Sequence, residues 1–171
     1  LRDGKRLLEL LREDTVLLEG LLSDLVVGET YFFREPQQFE SLRNLVLPDL
    51  LRNRPLDAPL QVWSAGCATG EEAYSLAIML EQEGLAARSN VIATDISSVV
   101  LKKAARASYE NWSFRGAKDD FIRTYFRARG GKHHLIERIR DAVAFSAVNL
   151  ASESYPRPKT GKGFDLILCR N

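Results

Sequence analysis

The chain has 171 residues, of which 45% are hydrophobic, and its formal net charge at pH 7 is +1. This length suits one domain, or one domain with a small appendage. The near-neutral charge argues against broad nucleic-acid binding, which normally needs a strongly basic face. No apolar run approaches the roughly 18 residues of a membrane span, so we expect a globular protein without direct membrane insertion.

Leucines at helical spacing dominate residues 2–26 and predict helices with a capped break near residues 13–15. We interpret residues 1–27 as the end of a small all-α domain. Because the chain begins inside this pattern without an initiating methionine, we expect the true start to lie upstream.

Residues 28–59 are predicted to form a linker and a connecting helix. The letters TYFFR at residues 30–34 precede a helix that is predicted from about residue 36 to residue 53, with apolar residues along one side. The prolines within residues 54–59 mark a loop that leads into the next unit.

A buried strand, a glycine turn and an acidic helix start follow one another in residues 62–77, which read VWSAGCATGEEAYSLA. In an open α/β sheet this junction is the usual ligand site, because glycines such as Gly66 let a ligand approach the backbone. The loop lacks both the G-x-G-x-x-G of a dinucleotide site and the lysine of a P-loop. Instead Glu71 and Glu72 follow Gly70, and two carboxylates at a helix N-terminus would repel a pyrophosphate.

The acidic helix start therefore favours a cationic adenosine derivative without phosphate, and S-adenosylmethionine has this chemistry. In the alternative interpretation, Glu71 and Glu72 are ordinary helix-start residues. The next predicted strand, residues 90–95, ends on Asp95, and Ser97 can cap the helix that follows. An acid at this place can accept hydrogen bonds from both hydroxyls of a ribose, although Asp95 can also be a simple turn residue.

From residue 60 onward, strands alternate with helices, which predicts a parallel sheet with right-handed crossovers and an α/β fold. The predicted elements are strand 60–65, helix 71–83, strand 90–95, helix 97–107, helix 117–128, strand 143–148 and strand 164–169. Because the chain stops directly after an apolar strand, we expect later strands to lie beyond its end.

Several other residues attract attention but have ordinary explanations. Cys67 and Cys169 lack the spacing of a metal site or a disulfide framework, so we predict free thiols in buried or glycine-loop positions of a cytoplasmic protein. The two histidines at residues 133–134 fit a charged hairpin better than a metal site. Tyr74 either touches the cofactor or packs in the core. The aromatic and basic loop at residues 111–116 either covers a substrate mouth or plugs the helix ends.

Five motifs occur in one order over residues 28–171: T-x-F-F-R at 30–34, S-A-G-C-x-T-G-E-E-x-Y-S at 64–75, A-T-D-I at 93–96, F-x-x-x-N-L at 145–150 and F-D-L-I-x-C-R-N at 164–171. In this order they resemble the CheR-type methyltransferases. Members of that family transfer the methyl group of S-adenosylmethionine to glutamate side chains of chemotaxis receptors.

The resemblance implies a Rossmann-like methyltransferase domain over residues 60–171, truncated at its C-terminus and preceded by part of a small all-α domain. It implies S-adenosylmethionine as cofactor and S-adenosylhomocysteine as product. Besides Gly66 of the loop, it implies these cofactor-binding residues: Thr30, Arg34, Glu71, Glu72, Asp95, Asn149, Leu150 and Asn171. The sequence departs from the family pattern at Gly28, where many members carry asparagine. The family's small β-subdomain, which can grip a receptor tail, is expected to follow Asn171.

The chemistry makes Arg34 the candidate catalytic residue. A glutamate carboxylate has a pKa of about 4.3 and is already ionised at pH 7, so attack on a sulfonium methyl group needs alignment rather than a strong base. A guanidinium can hold both carboxylate oxygens in a fixed fork. Because a full salt bridge also blunts the nucleophile, Arg34 alternatively serves mainly as a cofactor contact, or it is a surface arginine that caps the helix after residue 36.

The resemblance also implies the partners, which are cytoplasmic, glutamate-bearing helices of chemoreceptors. Cations on the predicted N-terminal and connecting helices would steer such helices unless they form a plain solvated face: Lys5, Arg6, Arg12, Arg43, Arg52 and Arg54. Two other hypotheses stay open at this point, a methyltransferase for another protein or a small molecule, and a non-catalytic cofactor-binding signalling module. We expect a monomer without a metal.

Overall fold

The computed structural model describes residues 2–14, 16–18, 20–21, 29–52, 54–55, 58–152, 154–158 and 163–170. Two positions singled out from the sequence, Gly28 and the predicted ligand Asn171, lie outside the described residues. None of the described helices is long and apolar enough to span a membrane.

In chain order the described helices are α1 (Arg2–Glu13), α2 (Pro36–Ser41, continuing through a π-helical turn at Leu42–Val46 into Leu47–Arg52), α3 (Glu71–Gln82), α4 (Ser98–Arg106), α5 (Asp119–Tyr125) and α6 (Glu137–Arg140). Short 3₁₀ turns lie at Ala86–Arg88 and Asn111–Phe114. The described strands are β1 (Leu60–Ala65), β2 (Ser89–Asp95), β3 (Ser108–Tyr109), β4 (Phe126–Arg129), β5 (Lys132–Leu135), β6 (Val143–Ala147) and β7 (Leu166–Cys169).

The helices before the sheet follow local sequence signals. The predicted capped break after the first helix is confirmed: α1 ends at Glu13, and the Asp14 carboxylate accepts the backbone N–H groups of Val16 and Leu17, where helical residues resume. In α2, the π-helical turn at Leu42–Val46 comes just before Pro48. Proline has no N–H for the helical ladder and its ring crowds the preceding turn, so a wider turn accommodates it within one continuous helix.

A four-stranded parallel sheet with the order β6-β2-β1-β7 forms the centre of the fold. Its register pairs Ala65 with Thr94 and Asp95 with Ala147, so the carboxyl ends of β1, β2 and β6 meet along one edge. All of β1 is buried, and so is α3 from Glu71 to Leu80. The predicted α/β fold is confirmed, and the ligand-binding edge of such a sheet is the one where these strands end.

A second sheet was not predicted. The expected helix 117–128 ends at Tyr125, and Phe126 starts β4, which pairs with β5 across a turn at Gly130 and Gly131; β3 pairs on the other side of β5. Both turn glycines have positive φ, 58° and 73°, which suits a tight hairpin. This small antiparallel sheet precedes β6 in the chain, and the position of the family's β-subdomain after Asn171 stays a prediction.

An aromatic cluster joins this small sheet to the segment before α2. The Phe32 ring, which is buried, lies 4.9 Å from the Tyr109 ring, 5.3 Å from the Phe114 ring and 5.0 Å from the Phe126 ring. Such ring pairs add stabilisation of about 0.5–1.5 kcal/mol each beyond the area they bury. The cluster therefore fixes the TYFFR segment against the small antiparallel sheet.

Arg54 joins the connecting loop to the sheet rather than facing a partner. Its Nη1 lies 2.6 Å from Asp165 Oδ1, and its other nitrogens donate to the carbonyl oxygens of Ala58 and Pro59. Asp165 Oδ2 accepts the N–H of Gln61 at the start of β1. The side chains of the pair are only 18% and 21% exposed, so the expected steering role of Arg54 is wrong.

Replacing Arg54 with methionine should lower the free energy of unfolding by about 2 kcal/mol, because Asp165 loses a charged, partly buried hydrogen-bond partner. Arg52→Met is the matched control. Arg52 pairs with Asp49 on the exposed side of α2, at 3.2 Å, and exposed pairs contribute roughly 0–1 kcal/mol. Urea denaturation of both variants measures the difference, and equal losses would contradict the role assigned to Arg54.

Candidate functional site

The turn after β1 is held in an unusual backbone shape. Gly66, Ala68 and Gly70 all have positive φ, at 77°, 47° and 94°. The N–H groups of Gly66 and Cys67 both donate to the carbonyl oxygen of Thr94 on β2, at 2.8 and 2.9 Å. The turn is thereby fixed at the carboxyl edge of the sheet, with the α3 N-terminus directly after it.

Asp95 organises this edge. Its Oδ2 accepts the N–H of Ala68 at 2.9 Å and its Oδ1 accepts the N–H of Ser97 at 3.0 Å, and the residue is only 5% exposed. Asp95 therefore acts as a turn residue, as one interpretation predicted. Each carboxylate oxygen has a second lone pair, so the same side chain keeps acceptor capacity for two further donors.

Glu72 is fixed from two sides, by β1 and by the residue after β7. Its Oε1 accepts the Ser64 hydroxyl at 2.6 Å, and its Oε2 accepts Nε of Arg170 at 2.5 Å. Sequence reasoning missed Arg170, although it is part of the last motif, because nothing in the sequence shows that the residue after β7 reaches the start of α3. The two predicted acids thus have different partners, since Glu71 does not contact Arg170 in any described interaction.

The Glu71 side chain contacts the 3₁₀ turn at Asn111–Phe114. Its Oε2 accepts the Thr69 hydroxyl at 2.6 Å and its Oε1 accepts the Ser113 hydroxyl at 2.9 Å. Burial raises the pKa of Glu71 above its ordinary value, and hydrogen bonds from Thr69 and Ser113 oppose that shift. In this geometry Glu71 joins the glycine turn to the Asn111–Phe114 segment, and its assignment as a cofactor ligand stays a prediction.

The raised pKa of Glu71 predicts a pH dependence of stability. The folded protein binds this proton more tightly than the unfolded chain, so the stabilising contribution is complete below about pH 4.5 and is lost as the pH rises through the folded-state pKa. Glu71→Gln removes the titration, so its free energy of unfolding should fall less than that of the wild type as the pH rises above about 4.5.

Urea denaturation of both proteins at several pH values above and below that point measures the effect. Glu137→Gln is the control, because the Glu137 side chain is 85% exposed and its removal should leave the wild-type pH dependence in place. Identical pH dependence in the wild type and Glu71→Gln would contradict this interpretation of Glu71.

Arg34 lies in a segment that is anchored from several directions. The Phe33 N–H donates to the Ser75 hydroxyl at 2.9 Å, and Phe33 and Glu35 adopt left-handed backbone, with φ of 54° and 60°. The Arg34 guanidinium donates through Nη1 to the Glu29 carbonyl oxygen at 2.8 Å. The N-cap residue of α2, Glu35, makes no side-chain cap hydrogen bond, and the guanidinium of Arg34 donates to Glu29 rather than to α2, so the capping role considered for Arg34 is wrong. Thr30 is half-buried at the start of the same segment.

Asn149 and Leu150 follow β6 and are both exposed. The Val148 N–H donates to the Asp95 carbonyl oxygen at 3.0 Å, which places the loop next to the end of β2. The Asn149 side chain accepts the N–H of Ala151 in a local turn. The structure thus brings these two predicted adenine neighbours to the edge that carries Asp95, and leaves the Leu150 side chain 37% exposed.

The remaining candidates have structural roles. Tyr74 is fully buried and donates its hydroxyl to the Ala104 carbonyl oxygen, so it packs in the core. Cys67 is buried, and burial together with the Asp95 carboxylate raises the pKa of its thiol. Cys169 is exposed rather than buried, and both cysteines are free.

His133 contacts Asn111 and lies against the Phe114 ring. Among the described residues, no group of three or more possible ligands could hold a metal.

Of the two roles considered for the loop at residues 111–116, the structure supports aromatic packing, and covering of a substrate mouth stays a prediction. Phe114 is buried in the aromatic cluster, whereas Trp112 is 67% exposed. The Arg115 guanidinium lies 4.0 Å from the Tyr31 ring centre and 4.2 Å from that of Trp112, and it pairs with Glu29 at 3.0 Å. Phe114 of this loop therefore packs into the core. The Arg115 guanidinium stacks on two rings beside the start of the segment that carries Arg34.

A cleft of about 750 Å³ opens next to this stack. Tyr31, Phe33, Phe39, Arg115 and Phe121 are among its lining residues. Neither the glycine turn nor Asp95 nor Glu72 lines it. We therefore distinguish this cleft from the candidate cofactor site at the sheet edge.

The sequence matches a protein-family model described as "CheR methyltransferase, SAM binding domain" over residues 28–171. A chemotaxis protein methyltransferase of Listeria monocytogenes is 33% identical over 161 residues, which cover 94% of this chain and 59% of the relative. Chemotaxis protein methyltransferase 2 of Vibrio cholerae is 36% identical over 162 residues, covering 90% and 54%. The chain thus spans less than two thirds of the length of either relative.

Among solved structures, the carbon methyltransferase of DszA overlaps 69% of this chain and 23% of its own, with a TM-score of 0.41 and 15% identity. The methyltransferase domain of the citrinin polyketide synthase overlaps 70% and 23%, with a TM-score of 0.38 and 19% identity. These partial overlaps carry no argument about the site. The family match covers every predicted site residue, because it runs from residue 28 to residue 171.

Proposed function

The chain belongs to the CheR methyltransferase family, and from that membership we propose that the protein methylates glutamate side chains of chemoreceptors. The methyl donor is S-adenosylmethionine, and the products are S-adenosylhomocysteine and a glutamate methyl ester. The observation that carries the proposal is the edge where β1 and β2 end, at which a glycine turn lies beside the two buried acids Glu72 and Asp95.

In the proposed complex the cofactor lies across this edge. Asp95 accepts both ribose hydroxyls with the lone pairs that Ala68 and Ser97 leave unused. Glu72 faces the cationic amino-acid part, and the loop that carries Asn149 and Leu150 lies against the adenine. Asn171 completes the set, and Gly66 allows close approach because nothing lies within 4 Å of a Cβ built on it.

The reaction itself is a displacement at the methyl carbon. The bond between the sulfonium sulfur and the methyl carbon breaks as a bond from a glutamate oxygen forms, so the positive and negative charges of the reactants cancel. The acceptor is ionised at pH 7 and releases no proton. Holding oxygen, carbon and sulfur in line can contribute about 7–11 kcal/mol in favourable cases.

Arg34 is the residue that we assign to acceptor orientation. Its guanidinium uses one N–H on the Glu29 carbonyl oxygen, and its remaining donors suit a carboxylate fork. Thr30 lies four residues earlier in the same anchored segment. The segment is held by backbone hydrogen bonds to Ser75 and Ser113, which is the rigidity that an orienting residue needs.

The acceptor would be an acidic helix of a receptor's cytoplasmic region. Three exposed cations of α1 support this assignment, namely Lys5, Arg6 and Arg12, whereas Arg43 pairs with Glu83 at 2.7 Å and Arg52 with Asp49 at 3.2 Å. Charges at a rim mostly set the encounter rate and the choice of partner. We place the reaction in the cytoplasm and expect a monomeric enzyme.

Incubation of the full-length protein with tritiated-methyl S-adenosylmethionine and receptor-containing membranes tests the proposal. We expect label on receptor glutamates that is released by base, because esters hydrolyse in base. Base-stable label on lysine, arginine or a small metabolite would show a methyltransferase of another specificity. Cofactor binding without transfer to any acceptor would indicate a signalling module.

A further inference from the structure

The cleft beside the Arg115 stack has several aromatic rings in its wall. The Phe33 ring lies 4.9 Å from the Phe39 ring and 5.5 Å from the Phe121 ring, and all three residues line the cleft. Phe33 has a φ of 54°, which is a strained backbone for a bulky residue. Strained residues concentrate at ligand sites, and the volume of about 750 Å³ lies in the range of ligand pockets.

This cleft lies next to the residue that we assign to the acceptor. Arg34 follows Phe33 directly, and its guanidinium donates to the Glu29 carbonyl oxygen at 2.8 Å. The carboxylate of the same Glu29 pairs with Arg115 at 3.0 Å, and Arg115 lines the cleft together with Tyr31. A segment that presents a glutamate to Arg34 is therefore within reach of the cleft.

The charges around the cleft suit an acidic partner. Its described lining residues include three cations and one acid, which are Arg43, Arg115, Lys118 and Glu40. Arg43 and Arg115 already have acidic partners, whereas the exposed Lys118 side chain forms no ion pair within the part of the chain that the structure describes. Aromatic walls with cations at their edge fit a helix that has an apolar stripe and acidic neighbours.

We propose that this cleft is a specificity site for the acceptor, in which an apolar side chain of the acidic helix, three or four positions from the methylated glutamate, packs against Tyr31, Phe33 and Phe121. Lys118 faces an acid of the same helix. The proposal rests on the proposed function, in which Arg34 holds the acceptor glutamate. Residues three or four apart lie on one face of a helix, about 5–6 Å from one another, so the glutamate reaches Arg34 while its neighbour enters the cleft. The cleft thereby selects acceptor glutamates by the residue beside them.

Methylation kinetics of the full-length protein with receptor-containing membranes test the apolar wall. Tyr31→Ala should raise the KM for the receptor by roughly tenfold and leave kcat within about twofold of the wild type, because it removes contact area for a bound side chain. Tyr31→Phe should keep the wild-type KM, since it retains the ring that lies 4.0 Å from the Arg115 guanidinium. Calorimetry should show S-adenosylhomocysteine binding within about twofold of the wild type in both variants.

Lys118→Glu tests the charge at the edge of the cleft and leaves the aromatic wall intact. It should raise the receptor KM by about threefold at low salt, and by less at high salt, where exposed charges are screened. Lys102→Glu is the matched control, because Lys102 is an exposed lysine of α4 that does not line the cleft. A wild-type receptor KM in both Tyr31→Ala and Lys118→Glu would overturn the proposal.

Receptor variants identify the side chain that enters the cleft. Alanine replaces, one at a time, the apolar residues three and four positions from the labelled glutamate. One replacement should raise the wild-type KM by roughly tenfold, but the KM of Tyr31→Ala by less than about twofold. Equal factors at every position would overturn the proposal. A wild-type dimer that Tyr31→Ala converts to a monomer in sedimentation would also overturn it, because a second copy would then fill the cleft.

The same kinetics separate this proposal from the proposed function. If the wild type labels no receptor glutamate, both fail together. If the wild type labels receptor glutamates and the cleft variants keep its KM, only the specificity site fails.

Discussion

Replacing Asp95 with asparagine is expected to weaken S-adenosylhomocysteine binding by about 100-fold or more, since two hydrogen bonds to a charged group contribute about 1.5–3 kcal/mol each and 1.4 kcal/mol is a factor of ten. The amide also places an NH₂ group against the N–H of Ala68 or of Ser97, which lie 2.9 and 3.0 Å from the carboxylate in the wild type. The turn should therefore loosen as well, with a loss of about 1–3 kcal/mol in unfolding free energy.

Calorimetric titration and urea denaturation measure the two effects of Asp95→Asn. Asp141→Asn serves as the control, because Asp141 pairs with Arg140 at the protein surface, where its side chain is 65% exposed. That change should leave both the affinity and the stability close to wild type. Binding by Asp95→Asn within about threefold of the wild type would remove Asp95 from the ribose site.

Gly70→Ala is expected to destabilise the fold by about 2–5 kcal/mol, the sum of a left-handed backbone penalty and of overpacking. The backbone has a φ of +94°, and an added Cβ would lie 2.9 Å from Ala104 Cβ and 3.2 Å from the Tyr109 hydroxyl. Neither neighbour can move freely, because Ala104 is buried in α4 and the Tyr109 hydroxyl donates to the Thr69 carbonyl oxygen.

Gly66→Ala is the comparison for this change. Its φ is +77°, but nothing lies within 4 Å of the added Cβ, so the cost is the backbone penalty of about 1–2 kcal/mol alone. In the proposed complex the methyl group occupies space that the cofactor needs, which should weaken S-adenosylhomocysteine binding by roughly tenfold. Equal destabilisation by the two variants, measured by denaturation, would contradict the packing argument for Gly70.

The site-bearing part of the fold could be predicted because its signals are local. The strand that ends at Ala65, the glycine turn and the acidic start of α3 are consecutive in sequence, so the pattern and the structure coincide. Asp95 could be predicted in the same way, because it is the last residue of β2. Parallel strands end at one edge, and this brings Asp95 and the loop after β6 to the glycine turn without any further assumption.

What could not be predicted depends on distant contacts. Glu71 and Glu72 are neighbours in sequence, yet one pairs with Ser113 and the other with Arg170, 98 positions away. Arg54 looks like a surface charge until the structure shows Asp165 beside it. These pairings arise from the way the elements pack, and no spacing within the sequence encodes them.

The small antiparallel sheet was missed for a different reason. Its strands contain only two to four residues and carry several charges, so they show neither alternation nor an apolar run. Tyr125 and Phe126 fit the apolar side of a longer helix equally well. Only the positive φ of Gly130 and Gly131 and the burial of Phe126 against Phe32 select the hairpin.

The central claim is that the sheet edge at Asp95 accepts a phosphate-free adenosine cofactor. A crystal structure of the protein with S-adenosylhomocysteine tests it most directly. We predict density for the nucleoside over the glycine turn, with both ribose hydroxyls at about 2.5–3.0 Å from the Asp95 oxygens. Density for the nucleoside elsewhere, such as the cleft lined by Tyr31 and Phe121, or a turn that instead holds a pyrophosphate, would contradict the account.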